Sequence, residues 1–172
     1  MSFALSCTLS DRIAAIGMVA AAQTLSWRWC TDERPVPMIA FHGTADPVVP
    51  YNGGSSWISR RPFPNVPRWT ANWARRNRCG SNPVESMVAP DVTRRAYSEC
   101  ADGAAVVLYS IHGGGHTWPG GMLLPTWFVG RTTRSIAATS LMWTFFTEHP
   151  LRTDIQRKSR RGNRRRSQAL SL

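Results

Sequence analysis

The sequence lacks several features that would assign it to common functional classes. No stretch of 18 or more consecutive apolar residues occurs in the 172 residues, so no transmembrane helix and no membrane partner are expected. A glycine-rich phosphate loop and a dinucleotide-binding fingerprint are both absent. The histidines, cysteines and acidic residues do not have the spacing of zinc ligands. The sequence therefore predicts a protein without a metal ion or another cofactor.

Acidic residues are scarce, and the resulting positive charge is concentrated at one end. The chain has 21 Lys and Arg against 10 Asp and Glu, a net charge of +11. Residues 151–172 contain eight of the basic residues and one acid, which leaves +4 for residues 1–150. Such a charged segment is typical of a disordered tail. We expect nucleic acid to bind at most non-specifically, through the basic residues at 157–166.

The rest of the chain has the pattern of a mixed α/β domain. Apolar residues make up 42% of the sequence, which favours a globular fold over disorder. The periodicity and the turn residues predict strands at Ile13–Ala22, Val36–Phe41, Met87–Tyr97 and Ala104–Ile111, helices at 1–9, Trp69–Arg78 and Thr133–Glu148, and a loop at Asn52–Ser56. In an alternative interpretation residues 1–22 are a signal peptide, but the acid at position 11 and the late arginine at position 12 argue against it.

Two predicted strands end at polar turns that carry residues suited to catalysis. Asp46 follows the apolar run Val36–Phe41, and His116 follows the run Val106–Ile111. In open α/β sheets, functional groups gather beyond the carboxyl ends of the strands. An acid followed later by a histidine matches the end of the chain order Ser, Asp, His in one class of hydrolases. The structural alternatives are that Asp46 forms the turn before Pro47 and that His116 is bonded to the backbone of its glycine-rich loop.

Other candidates are weaker. His42, His112 and His149 are interpreted as structural histidines. The nucleophile motif G-x-S-x-G is absent from the sequence. Ser55 and Ser56 lie in a glycine-containing segment that lacks the closing glycine and comes after the acid, which is the wrong chain order.

Two long motifs resemble a known family. R-P-V-P-M-I-A-F-H-G-T-A-D-P-V-V-P-Y at 34–51 and V-V-L-Y-S-I-H-G-G-G-H-T-W-P-G-G at 106–121 resemble the polyhydroxybutyrate depolymerase / feruloyl esterase family of secreted α/β-hydrolases. Residues 1–20 are similar to the segment that follows the nucleophile elbow in that family, and 145–150 to its terminal helix. The resemblance covers roughly residues 1–150. It implies that Asp46 is the acid and His116 the base of a catalytic triad.

The resemblance also implies what this chain lacks. Residues 1–150 correspond to the C-terminal half of an α/β-hydrolase fold, a mostly parallel sheet with flanking helices, and the nucleophile-bearing half is expected upstream of Met1. We therefore expect the chain alone to be inactive and its half sheet to expose an edge. The implied substrates are polyhydroxyalkanoate chains or feruloyl and acetyl esters of plant cell walls. Trp118 either lines the acyl pocket or packs within its loop. The alternatives are a non-catalytic truncated remnant and a basic protein that binds nucleic acid through its tail at 157–166.

The cysteines give an indication of the cellular compartment, because they can form disulfides. The resemblance suggests that Cys79 and Cys100 form a disulfide, and Cys7 and Cys30 could form a second one. Four cysteines allow three connectivities, and four buried free thiols are the alternative. Disulfides would fit an oxidising compartment, in agreement with the extracellular location that the resemblance implies.

Overall fold

The computed structural model describes residues 2–31 and 34–151. Its strands are β1 (Ile16–Val19), β2 (Met38–Gly43), β3 (Gly54–Ser56), β4 (Ser59–Phe63), β5 (Val84–Ala89), β6 (Val92–Tyr97) and β7 (Val106–Ile111). Five of them form one sheet in the order β1-β2-β7-β6-β5, while β3 and β4 form a separate two-stranded sheet. The predicted basic tail at 151–172 lies almost wholly outside the described residues.

Helices cover both faces of the larger sheet. They are α1 (Ser2–Thr8), α2 (Val66–Arg76), α3 (Thr126–Val129) and α4 (Ala138–Glu148), and short 3₁₀ turns lie at Trp27–Trp29 and Ala101–Gly103. Side chains of α1 and α2 pack on one face, and side chains of α4 pack on the other. Within the described residues, none of these helices is long and apolar enough to cross a membrane.

The strands β2 and β7 form the centre of the core. All six residues of each strand are buried. Alternate residues point to opposite faces, so Met38 and Leu108 contact the cluster around α2, whereas Phe41 and Tyr109 contact the cluster around α4. Burial on both faces explains why the two sequences are continuous apolar runs instead of alternating ones.

The helix α2 starts earlier than the sequence predicts. The side chain of Asn65 accepts a hydrogen bond from the amide of Arg68 and caps the helix, and Pro67 lies in its first turn. Proline is tolerated there because the first amides of a helix have no partner within the helix. The predicted helix Trp69–Arg78 therefore begins three residues too late and ends two residues too late. Trp69 and Trp73 face the core as their i, i+4 spacing predicts.

The sheet is mixed, which corrects the prediction of a mostly parallel one. β1, β2 and β7 are parallel neighbours, but β6 and β5 continue the sheet as antiparallel strands. The predicted strand Met87–Tyr97 contains the end of β5, a turn at Pro90 and Asp91, and all of β6, so one predicted strand is part of a hairpin of two strands. Proline lacks the amide proton that a continuous strand would need at that position.

Several element boundaries also differ from the predictions. β1 occupies only four residues of the predicted strand Ile13–Ala22. The expected loop Asn52–Ser56 contains β3. The predicted helix Thr133–Glu148 begins at Ala138, and α3 was not predicted. These elements are short or lie in polar and glycine-containing segments, where periodicity carries little information.

Two disulfides join the segments that cover the α2 face. Cys7 is bonded to Cys30 and Cys79 to Cys100, so both suggested pairings are confirmed and the alternative of free thiols is wrong. The first links α1 to the turn at Trp27–Trp29, and the second links the end of α2 to the segment after β6. Each closes a loop of more than twenty residues, which restricts the unfolded chain and stabilises the fold.

Candidate active site

The parallel pairing of β2 with β7 brings Asp46 and His116 to the same edge of the sheet. Gly43 is paired with Ile111, so the two strands end side by side. Beyond them the turn and the loop stay in contact, because the amide of Thr44 donates to the carbonyl of Ile111 and the amide of Ala45 donates to the carbonyl of Gly114, both at 2.9 Å. Residues 70 positions apart in sequence therefore meet in space.

Glycines allow the loop of His116 to lie directly on the end of β2. A Cβ atom at Gly43 would lie 2.2 Å from the carbonyl oxygen of Gly114. A Cβ atom at Gly115 would lie 2.0 Å from the carbonyl oxygen of Val129. Both neighbours are backbone atoms, so a side chain at Gly43 would push the loop away from the strand, and one at Gly115 would push it away from the segment at Val129. Gly43 and Gly115 are thus required by close backbone approach.

The carboxylate of Asp46 is fully enclosed and fully hydrogen-bonded. Its side chain has no exposed surface. Oδ1 accepts hydrogen bonds from the amides of Val48 and Val49, both at 2.8 Å, and Oδ2 accepts one from Nδ1 of His116 at 2.9 Å. Burial alone would raise the pKa of Asp46, but the hydrogen bonds from His116, His42 and the two amides outweigh it and hold that pKa well below its usual range. Asp46 is therefore a carboxylate at neutral pH.

His116 combines a fixed backbone with an accessible ring. Its amide donates to the carbonyl of Val129, and the amide of Gly115 donates to the carbonyl of Arg131. One third of its side chain is exposed. Since a carboxylate can only accept, Nδ1 carries the proton in the hydrogen bond to Asp46, and Nε2 of the neutral ring has a free lone pair. Among residues 2–31 and 34–151, Nε2 of His116 has no hydrogen-bond partner.

The other histidines differ in their surroundings. Nε2 of His112 is bonded to the hydroxyl of Thr93, and Nδ1 of His149 donates to the carbonyl of Phe145; neither hydrogen bond involves Asp46. His42 is buried, and its Nε2 lies 2.8 Å from the carbonyl of Val49 and 3.4 Å from Oδ2 of Asp46. Sequence reasoning missed this contact with Asp46. The spacing of four residues across the end of a buried strand was the available signal.

The serines of the hairpin β3–β4 are not bonded to the histidine. The hydroxyl of Ser56 donates to the carbonyl of Val48, and Ser55 is exposed. Within the described residues, no group of three or more histidine, cysteine, aspartate or glutamate side chains is arranged to hold a metal ion. The site therefore contains an acid, Asp46, and a base, His116. Asp46 can orient the imidazole of His116, and the imidazole can accept a proton at Nε2.

An apolar surface flanks the two residues. We define it by the exposed side chains of the hairpin tip and of the segment around α3, namely Trp57, Ile58, Met122, Leu123, Leu124, Trp127 and Phe128. Its two parts touch, because the rings of Trp57 and Phe128 are 6.0 Å apart between centroids. Each part is hydrogen-bonded to one side of the site, since Ser56 contacts Val48 and the carbonyl of Val129 accepts from His116. Single exposed apolar residues are ordinary, but a contiguous group marks a contact surface.

Trp118 lies apart from this surface. Its side chain is about half exposed, and its Nε1 donates to the hydroxyl of Thr139 near the start of α4. This contact holds the segment that follows His116 against α4.

Comparison with known proteins points to esterases. The chain is 35% identical over 116 residues to feruloyl esterase B of Piromyces equi, in an alignment that covers 64% of the chain and 21% of that protein. It is 29% identical over 102 residues to NocK of Nocardia uniformis subsp. tsuyamanensis, named as an esterase, across 51% of the chain and 30% of that protein. No family model matches the chain. The chain thus spans less than a third of the length of these curated relatives. Similarity to esterases is confirmed, and similarity to polyhydroxybutyrate depolymerases stays a prediction.

Proposed function

We propose that this chain supplies the acid and the base of a serine-type carboxylic-ester hydrolase, Asp46 and His116, and that the nucleophilic serine lies outside the described residues. The observation that carries this proposal is the hydrogen bond of 2.9 Å from Nδ1 of His116 to the enclosed carboxylate of Asp46. The esterase relatives support the reaction class.

The chemistry follows from the tautomer that the carboxylate selects. With its proton on Nδ1, His116 takes the proton of a serine hydroxyl at Nε2 as the serine attacks the ester carbonyl. Asp46 stabilises the imidazolium that results, because its fixed amide donors keep it a negatively charged carboxylate. The imidazolium then gives the proton to the leaving alcohol, and in the second half of the reaction the same nitrogen activates water to release the acid.

The open edge of β1 supports a nucleophile from another segment. β1 is the last strand on its side of the sheet within the described residues, and a cleft of about 250 Å³ lies between it and the start of α1. A further parallel strand at this edge would end at the same side of the sheet as β2 and β7. We propose that a strand carrying the G-x-S-x-G turn pairs there, which makes residues 1–150 half of an α/β-hydrolase domain.

The apolar surface supports a hydrophobic ester as substrate. The seven exposed apolar side chains of this surface, whose α3 segment is bonded to His116 through the carbonyl of Val129, would take a long or aromatic acyl group out of water, and Trp127 alone is 87% exposed. Polyhydroxyalkanoate chains and feruloyl esters both fit this description. The two disulfides support an extracellular location, where such polymeric substrates occur.

The purified chain tests where the nucleophile lies. We expect it to hydrolyse p-nitrophenyl acetate and butyrate no faster than its His116→Ala variant, because its sequence contains no G-x-S-x-G turn. Activity well above that variant, lost in Ser55→Ala or Ser56→Ala, would contradict the proposal and would place the nucleophile in β3. His112→Ala is the matched control, since it removes an imidazole from the same loop that does not contact Asp46.

A further inference from the structure

His42 is a second imidazole beside the carboxylate of Asp46. It is the fifth residue of β2, and 1% of its side chain is exposed. Its Nε2 lies 2.8 Å from the carbonyl oxygen of Val49 and 3.4 Å from Oδ2 of Asp46. The mechanism proposed above makes no use of this residue, although the cost of burying a polar ring requires that it be well bonded.

The neighbours of His42 define its protonation. A carbonyl oxygen can only accept, so Nε2 of His42 carries a proton and points it toward Val49, with Oδ2 of Asp46 as a second, more distant acceptor. Val49 in turn donates its amide to Oδ1 of the same carboxylate. His42, Asp46 and Val49 therefore form a closed ring of contacts that includes both carboxylate oxygens.

The two oxygens of Asp46 are held differently. Oδ1 has two amide donors from the backbone, which stay in place throughout any reaction. Oδ2 faces His116, whose ring must accept and release a proton, and His42 is its other neighbour. Without His42, the side of the carboxylate that faces the base would be held only by the base itself.

We infer, on the basis of the function proposed above, that His42 is a positioning residue: its Nε2–H holds the carboxylate of Asp46 and the turn 46–49 in the orientation that directs Oδ2 at Nδ1 of His116. The titratable groups that surround this carboxylate are His42 and His116, and Tyr51 lies behind His42 with its hydroxyl bonded to Ser110. A role in packing alone would require only the volume of the ring.

Three variants of the full chain separate donation from packing. His42→Gln keeps an N–H at the position of Nε2, whereas His42→Leu fills similar space without a donor. Phe41→Leu is the matched control, because it loosens the neighbouring position of the same strand on the opposite face, where Phe41 stacks on Tyr109 at 4.8 Å. It makes no contact with Asp46.

Two NMR signals report the geometry without any activity measurement. They are the low-field proton on Nδ1 of His116 and the pH titration of the Asp46 carboxyl carbon. We expect His42→Leu to lose the proton signal and to move the Asp46 titration to higher pH, because a donor to the carboxylate is gone. His42→Gln and Phe41→Leu should keep both signals as in the wild type.

Either of two results would overturn this role of His42. One is a wild-type proton signal and Asp46 titration in His42→Leu. The other is an equal loss in His42→Leu and in His42→Gln or Phe41→Leu, which would mean that packing alone matters. Neither NMR readout needs a nucleophile. The absence of esterase activity would therefore not affect the NMR result, and an NMR result that contradicts the role of His42 would not contradict the esterase proposal.

Discussion

The parallel and antiparallel halves of the sheet differ in how deeply their strands are buried. β2 and β7, in the parallel half, are buried at every position, whereas five of the six residues of β5 are exposed. Asp46 and His116 extend from the buried pair. Strands covered on both faces cannot shift without losing core contacts, so they hold the ends of their loops at fixed positions. The comparison teaches that the site is attached to the least deformable part of the described structure.

The largest expected contrast is between core residues of the two halves. Leu108→Ala in β7 removes a fully buried side chain and should lower the free energy of unfolding by about 3 kcal/mol. Met87→Ala in β5 removes a side chain that is 72% exposed and should change it by less than about 0.5 kcal/mol. Urea unfolding measures both. Equal losses would mean that the two halves are equally important to the core.

A smaller effect is expected from the carboxylate itself, and it should depend on pH. The folded-state pKa of Asp46 is lowered, so its contribution is present above the unfolded-state value of about 3.9 and is lost as the pH falls below it. Asp46→Asn should therefore be less stable than the wild type by about 2 kcal/mol at pH 7. The difference should shrink as the pH is lowered from 4 to about 2. Urea unfolding across this range checks the sign, and a constant difference would show that Asp46 is not a stabilised carboxylate.

The smallest effect is expected from the ion pair on the antiparallel half. Arg95 and Glu85 form a salt bridge between β6 and β5, and a substantial part of both side chains is exposed. Exposed pairs contribute little because water and salt screen them, so Glu85→Gln should cost less than about 0.5 kcal/mol. The same unfolding measurement with and without added salt checks this. If Glu85→Gln lowered the free energy of unfolding as much as Asp46→Asn does, the two halves of the sheet would not differ in the strength of their charged interactions.

The positions of Asp46 and His116 could be predicted from the sequence, because the hydrophobic pattern and the chain order agree there. Asp46 and His116 each follow an apolar run, and parallel strands end at a common edge, which is why the sequence was sufficient to bring them together. The contact of His42 with Asp46 was missed, because the spacing of four residues is a weak signal and the contact depends on how the turn after β2 folds back. This turn is fixed by hydrogen bonds from the amides of Val48 and Val49 to the carboxylate of Asp46. Such bonds between a side chain and the backbone do not appear in the hydrophobic periodicity of the sequence.

The fold was predictable at its centre and less so toward its edges. β2 and β7 are marked by continuous apolar runs, while β5 is exposed and is separated from β6 only by the turn at Pro90 and Asp91. A strand at the edge of a sheet has no strong burial pattern. Its direction is decided by pairing with a neighbouring strand, which the sequence pattern does not show. For this reason the prediction of a mostly parallel sheet was wrong. Spacing alone left three cysteine connectivities open, so the pair Cys79–Cys100 was suggested by resemblance and Cys7–Cys30 was only a possible second bridge.

The most direct test of Asp46 and His116 as acid and base is hydrolysis of p-nitrophenyl butyrate by a longer protein that joins this chain to a G-x-S-x-G segment. We predict that His116→Ala lowers kcat/KM by at least about 10³-fold, since the proton acceptor is lost while substrate binding remains. His112→Ala, four residues away, should leave it unchanged. Equal activity of the wild type and His116→Ala would contradict the account.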